Sequence, residues 1–126
     1  MSIPENLKYT KDHEWTMISA DLATVGITDY AVKELGDIIY VELPSVGNAA
    51  IKGNSIGTIE AVKTVADIYS PVSGEIVEVN QALTDRAELI NQDPYGGGWI
   101  AKIKISNAAE TEELLSPADY RKLIGQ

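Results

Sequence analysis

Turn-forming residues interrupt this chain too often for long helices. The runs between its Gly, Pro, Asn and Asp residues are short, β-branched and often alternating, which places the chain in the mainly β class, as a sandwich or barrel. The clearest run, Trp99 to Ile105, sets Trp99, Ala101, Ile103 and Ile105 on one face and Lys102 and Lys104 on the other. Ala23, Val25 and Ile27 alternate with Thr24, Gly26 and Thr28 in another strand, and Asp37 to Leu43 is strongly β-prone before Pro44 and Gly47 end it. The first strand runs through His13 to Met17, with His13, Trp15 and Met17 on one face and Glu14 and Thr16 on the outward one.

Helices are sparse and marginal. Thr28 is a good N-cap, Asp29 suits the positive helix N-terminus, Tyr30 to Leu35 completes about two turns, and Gly36 closes them at positive φ. Near the end, Asn107 with Glu110 reads as a capping box before Thr111 to Leu115. Ser116 and Pro117 supply a cap and a first-turn proline before Ala118 to Ile124. The 126 residues suit one domain, 1–126, with 107–126 as a helical tail against the sheet edge. Between them Pro94 to Gly98 has three consecutive glycines, but no Lys-Ser or Lys-Thr pair follows, so a flexible turn is expected rather than a phosphate cradle.

The stretch Gly57 to Gly74 reads as a β-hairpin. Ile59, Ala61 and Val62 lead into Lys63, and Val65, Ile68 and Tyr69 lead out, which lifts the lysine into solvent at the tip. By residue chemistry alone, such a lysine is a solvated charge protecting a sheet edge. The formal net charge of −9 makes nucleic acid an unsuitable partner. The absence of cysteine excludes a disulfide framework, a thiol nucleophile and a cysteine metal site, and no metal centre is expected. His13 is the sole histidine and suits a structural or surface role. No segment suits a signal peptide or a membrane span. The start at Met1 fits a bacterial or archaeal cytoplasm, with a mature mitochondrial form left open.

Glu60-Ala61-Val62-Lys63 followed by Asp67-Ile68-Tyr69-Ser70-Pro71-Val72-Ser73-Gly74-Glu75 resembles the lipoyl-lysine hairpin of the glycine cleavage system H-protein family. The resemblance extends to His13-Glu14-Trp15, Gly26 to Ala31, Leu35 to Ile38, Val41 to Pro44, Leu89 to Asn91, Pro94 to Gly96 and Gly98-Trp99, nearly the whole chain. Biotinyl carriers typically flank their lysine with methionines, and the lipoyl domains of 2-oxoacid dehydrogenases usually place Asp before it. Here Val62 precedes and Thr64 follows. The family often has a small residue where Thr64 stands, a mild departure.

The resemblance implies a barrel-sandwich hybrid: two small antiparallel sheets, a lysine-bearing hairpin, short marginal helices and a C-terminal helix. It further implies a carrier rather than an enzyme, with lipoic acid amide-linked to Lys63. That arm takes an aminomethyl group from the glycine-decarboxylating P-protein, presents it to the T-protein (aminomethyltransferase) and is reoxidised by the L-protein (dihydrolipoyl dehydrogenase). Monomer is the default state, and lipoyl relay to other complexes is an alternative role. Glu60 is expected to help the lipoate-attaching enzyme recognise the hairpin, or to be an ordinary solvated strand charge. A cleft for the loaded arm would use Glu14 for the cationic amine, with Thr28 and Asp67 adding hydrogen bonds. The structural alternatives are a solvated strand residue, a helix cap and a turn residue, respectively. Two rival readings use Lys63 differently: a Schiff-base enzyme, which needs a buried or cation-flanked lysine, and an unmodified structural adaptor.

Overall fold

Strand pairing organises the computed structural model, which describes residues 1–126. Nine strands form two antiparallel sheets. They are β1 (Lys8–Tyr9), β2 (Glu14–Ser19), β3 (Leu22–Ile27), β4 (Ile38–Glu42), β5 (Ala49–Ala50), β6 (Ser55–Ala61), β7 (Val65–Tyr69), β8 (Gly74–Val79) and β9 (Ala101–Ile105). The larger sheet runs β1-β2-β3-β9-β8-β5 and the smaller β4-β6-β7. This is the expected mainly β barrel-sandwich hybrid, with the strands of DIIYVEL and of the lysine hairpin together in the smaller sheet.

The two sheets face each other across one core that includes Val25, Ile27, Val41, Ile59, Ile68, Ile76 and Ile103. A second, smaller cluster (Ile3, Leu7, Tyr9, Trp15 and Tyr120) lies under the N-terminal segment. At Gly74 the backbones approach so closely that a Cβ would stand 1.9 Å from the Lys104 carbonyl oxygen, so only glycine fits where β8 joins β9.

Strand β3 explains a reversal in β2. Glu14 pairs with Ile27, Thr16 with Val25 and Ile18 with Ala23, and paired residues share a face. The polar residues Glu14 and Thr16 therefore point inward with Val25 and Ile27, and Glu14 is only 2% exposed. The expected outward face is occupied by Trp15 and Met17. Trp15 is buried there because its indole lies over Gly26, within 2.6 Å of where a Cβ would stand, and because Leu7 and Tyr95 pack around it. His13 precedes the strand at φ 72° and so leaves that face altogether.

The helices are short. Helix α1 (Asp29–Leu35) has its expected ends: Thr28 Oγ1 accepts from the Ala31 N–H, and Gly36 has φ 78°. Two further short helices, α2 (Ala82–Asp85) and α3 (Leu89–Gln92), lie between β8 and β9 and bury Leu83 and Ile90. The three glycines after α3 form a packed turn, in which Gly97 N–H donates to Asp93 Oδ2 and Gly98 N–H to the Asp93 carbonyl. Trp99 precedes β9 and packs with the smaller cluster rather than on the Ala101–Ile103 face.

In the tail, residues Ala108–Glu113 form a 3-10 turn instead of an α-helix. The expected capping box does not close, because Glu110 reaches across to accept from Ser73 N–H and Oγ–H at 2.8 and 3.0 Å. Leu115 then exchanges backbone hydrogen bonds with Tyr9, and α4 (Pro117–Leu123) starts from a Ser116 cap with Pro117 in its first turn. Tyr120 of α4 stacks on Tyr9 with ring centroids 4.6 Å apart.

Candidate functional site

The hairpin tip is short and tied down on both sides. Ala61 N–H donates to the Thr64 carbonyl at 2.8 Å, and Val62 N–H donates to the Asp37 carbonyl at 3.0 Å, so the turn cannot swing as a free loop. Asn91 of α3 braces the segment behind it, donating to the Gly36 carbonyl at 2.9 Å and accepting from the Ile38 N–H at 3.0 Å. Val62 is 72% exposed, and Lys63 beside it is exposed as well. The Lys63 stem passes over Gly36, its Cε 3.5 Å and Nζ 3.8 Å from where a Cβ would stand. Those are ordinary contact distances, so it is the positive φ of 78° that favours glycine at position 36.

No carboxylate pairs with Lys63, and no hydrogen bond holds its ammonium, although five other basic side chains in the chain are ion-paired. A Schiff-base nucleophile would need burial to free its amine of the proton at neutral pH. This exposed lysine at the turn lacks that environment. Acylation at this position breaks no existing interaction.

Glu60 is the exposed last-but-one residue of β6. It lies between Tyr40 of β4 and Val65 of β7, on the solvent face. Asp67 lies on the same face of β7, two residues beyond Val65, where its carboxylate accepts from Ser55 Oγ at 3.0 Å. Asp67 is therefore a strand residue and not a turn residue.

Glu14 lines a cleft of about 230 Å³ with Tyr9, Thr10, Asp12, Tyr69, Ser70 and Pro71 among its walls. Lys52 and Glu113 pair at its rim and tie the β5–β6 connection to the tail. Strand β7 leads from the tip toward this cleft, because Tyr69 stands four residues past Val65, about 14 Å along the strand at 3.4 Å per residue. Burial raises the Glu14 carboxyl from 4.5 to about 7, while hydrogen bonds from Thr10 and from the Tyr69 N–H pull it the other way. Asp12 adds a smaller upward push. A buried carboxyl balanced near neutrality is suited to receive a cation, whose charge would favour the anion.

Thr28 stands apart from this cleft. It is fully buried, caps α1 through Ala31, and shares a 2.7 Å hydrogen bond with Tyr120, which in turn meets His13 Nδ1 at 2.9 Å. The structure thus brings Glu14 and Tyr69 together, sets Asp67 two residues away along β7, and does not bring Thr28 to them. Thr28→Ala should lower stability by about 1–2 kcal/mol through loss of the cap and the Tyr120 bond, read as a lower urea midpoint. An unchanged midpoint would contradict the capping role.

Sequence reasoning passed over Thr10 and the Tyr69 N–H, the two donors to Glu14. The signal for Thr10 was its place four residues before an acid in a polar loop. The backbone donor comes from a strand 55 residues away, and spacing carries no sign of it.

The family model for the glycine cleavage H-protein matches residues 7–126. A glycine cleavage system H protein of Chlorobaculum parvum is 59% identical over the full length of both chains. One from Carboxydothermus hydrogenoformans is 50% identical over 97% of this chain and 94% of its own. The crystal structure of a glycine cleavage system H protein from Mycobacterium marinum superposes with a TM-score of 0.91 at 42% identity, covering 98% of this chain and all of that one.

Proposed function

This chain belongs to the glycine cleavage H-protein family, a lipoate-carrying component of the glycine cleavage system, and from that membership we propose that Lys63 is its lipoyl attachment point. The observation that carries this reading is the unpaired, exposed lysine at a hairpin tip held by backbone bonds on both flanks. The residues fit the group, since an acyl chain on Nζ displaces no partner and extends a stem that already lies in the open.

The lipoyl group supplies the thiol and redox chemistry that a chain without cysteine lacks. The protein supplies position. The rigid tip presents Lys63, and tethering keeps its arm at high effective concentration near each partner's active site. Glu60, exposed on the strand leading to the tip, offers a carboxylate to the enzyme that attaches lipoate. Glu14, in the cleft at the far end of β7, offers a buried anion to the cationic amine of the cargo and shields it from water. Asp67 stands on the route between tip and cleft. Thr28 contributes by capping α1, which ends beneath Lys63 at Gly36.

On this reading the whole chain acts as one carrier module with no catalytic residue of its own. It is a monomer serving the P-, T- and L-proteins. The bacterial relatives support work in a bacterial cytoplasm. The test is reconstitution. Lipoylated chain added to P-protein should make glycine exchange its carboxyl carbon with labelled bicarbonate, and exchange no faster than with P-protein alone would refute the assignment.

A further inference from the structure

We propose that Thr10 is the positioning residue for Glu14, its hydroxyl fixing one carboxylate oxygen and favouring the anionic form that meets an incoming amine. This rests on the reading of Glu14 as the cargo-binding carboxylate. Thr10 lies on the turn before β2, where its Oγ1 accepts the N–H of Glu14 at 3.2 Å and that of Asp12 at 3.3 Å. With both acceptor positions of the hydroxyl used, its own proton has one direction left, and Glu14 Oε1 stands there at 2.5 Å. That length lies at the short end of the hydroxyl–oxygen range, where bonds to a charged acceptor fall. The turn is itself closed by Thr10 N–H to the Glu14 carbonyl at 3.0 Å and His13 N–H to the Thr10 carbonyl at 3.2 Å.

On the other side Glu14 Oε2 accepts from the Tyr69 N–H at 3.3 Å. Each carboxylate oxygen therefore already faces a donor and keeps a lone pair for one more. A proton on Glu14 must take one of those remaining positions, the same ones an ammonium would use. Removing the Thr10 hydroxyl frees Oε1 for a proton and lets the carboxyl rotate.

The other charged or titratable groups around Glu14 do not replace this donor. Asp12 on the same turn repels the anion, Tyr69 of β7 gives its backbone rather than its phenol, and the Tyr120 hydroxyl of α4 is engaged with Thr28 and His13. Of the cations lining the cleft, Lys52 is held by Glu113 at the rim, and Lys11 is exposed and makes no ion pair with Glu14.

The test follows the Glu14 carboxyl by carbon-13 NMR titration of the unlipoylated chain, assigned with Glu14→Gln, alongside cargo release from the lipoylated, loaded chain. Thr10→Val should raise the Glu14 midpoint by about one pH unit, the scale of one hydrogen bond to a carboxylate. Thr10→Ser should restore the wild-type midpoint. Thr10→Ala serves in place of valine if the turn cannot hold the larger side chain. At pH 7 the valine variant should release cargo faster, in the direction of Glu14→Ala, and serine should not. A midpoint unmoved in both Val and Ala variants, or moved equally in Ser, overturns the role of the hydroxyl. A midpoint that moves while neither Thr10→Val nor Glu14→Ala alters release overturns instead the reading of Glu14 as the amine's partner.

Discussion

Lys63→Arg should carry no lipoyl group and should support no glycine-dependent exchange, a complete loss rather than a graded one. Arginine keeps the charge, the reach and the exposure of the lysine, and the tip is held by backbone bonds of Ala61 and Val62 that the substitution leaves alone. The guanidinium, always protonated, is not acylated under the same conditions. The variant should therefore melt like the wild type and have an unchanged circular dichroism spectrum while its intact mass stays unmodified after incubation with the lipoate-attaching enzyme. Lipoyl mass on Lys63→Arg would place the attachment elsewhere, and unmodified protein with wild-type exchange would remove the cofactor from the account.

Glu14 gives the largest expected effect on stability. Its folded carboxyl titrates at about 7, above the ordinary 4.5, so the folded state binds this proton more tightly than the unfolded chain does. The sign follows directly: the group favours folding below about pH 4.5, loses that contribution as pH rises toward 7, and keeps the full cost above it. A displacement of this size corresponds to roughly 3 kcal/mol. Glu14→Gln has no such titration and keeps an acceptor for the Thr10 hydroxyl. Urea midpoints at pH 4.5 and pH 8 should show the variant gaining on the wild type by about that amount at the higher pH. Parallel profiles would mean that Glu14 is not destabilised as a buried anion. A cost carried by the unloaded protein and relieved by a cationic cargo is what a binding carboxylate would show.

Lys63 and the helix ends were legible in the sequence because they depend on neighbours within a few residues. The hairpin followed from β-prone flanks around a polar tip, Thr28 and Gly36 from capping rules, and Ser116-Pro117 from the first-turn preference for proline. What failed depended on distant partners. Alternation separated Trp15 and Met17 from Glu14 and Thr16 but wrongly kept His13 in the pattern and could not say which face met the core, and the answer lay in Trp15 covering Gly26 on the adjacent strand. Glu110 was available to cap its own turn and bonded Ser73 instead. Helices α2 and α3, four residues each, are too short to show a helical period, and tertiary burial of Leu83 and Ile90 holds them. The same limit applied to the site. The hairpin-tip lysine is local, whereas the cleft joins a turn at Thr10, a strand at Glu14 and a second sheet at Tyr69.

The most direct measurement is the intact mass of the chain from its native cell, with peptide mapping across Gly57 to Gly74. The account predicts one lipoyl addition, located on Lys63 and absent from every other lysine. A chain that is unmodified there, and stays so after incubation with a lipoate-attaching enzyme, would contradict it.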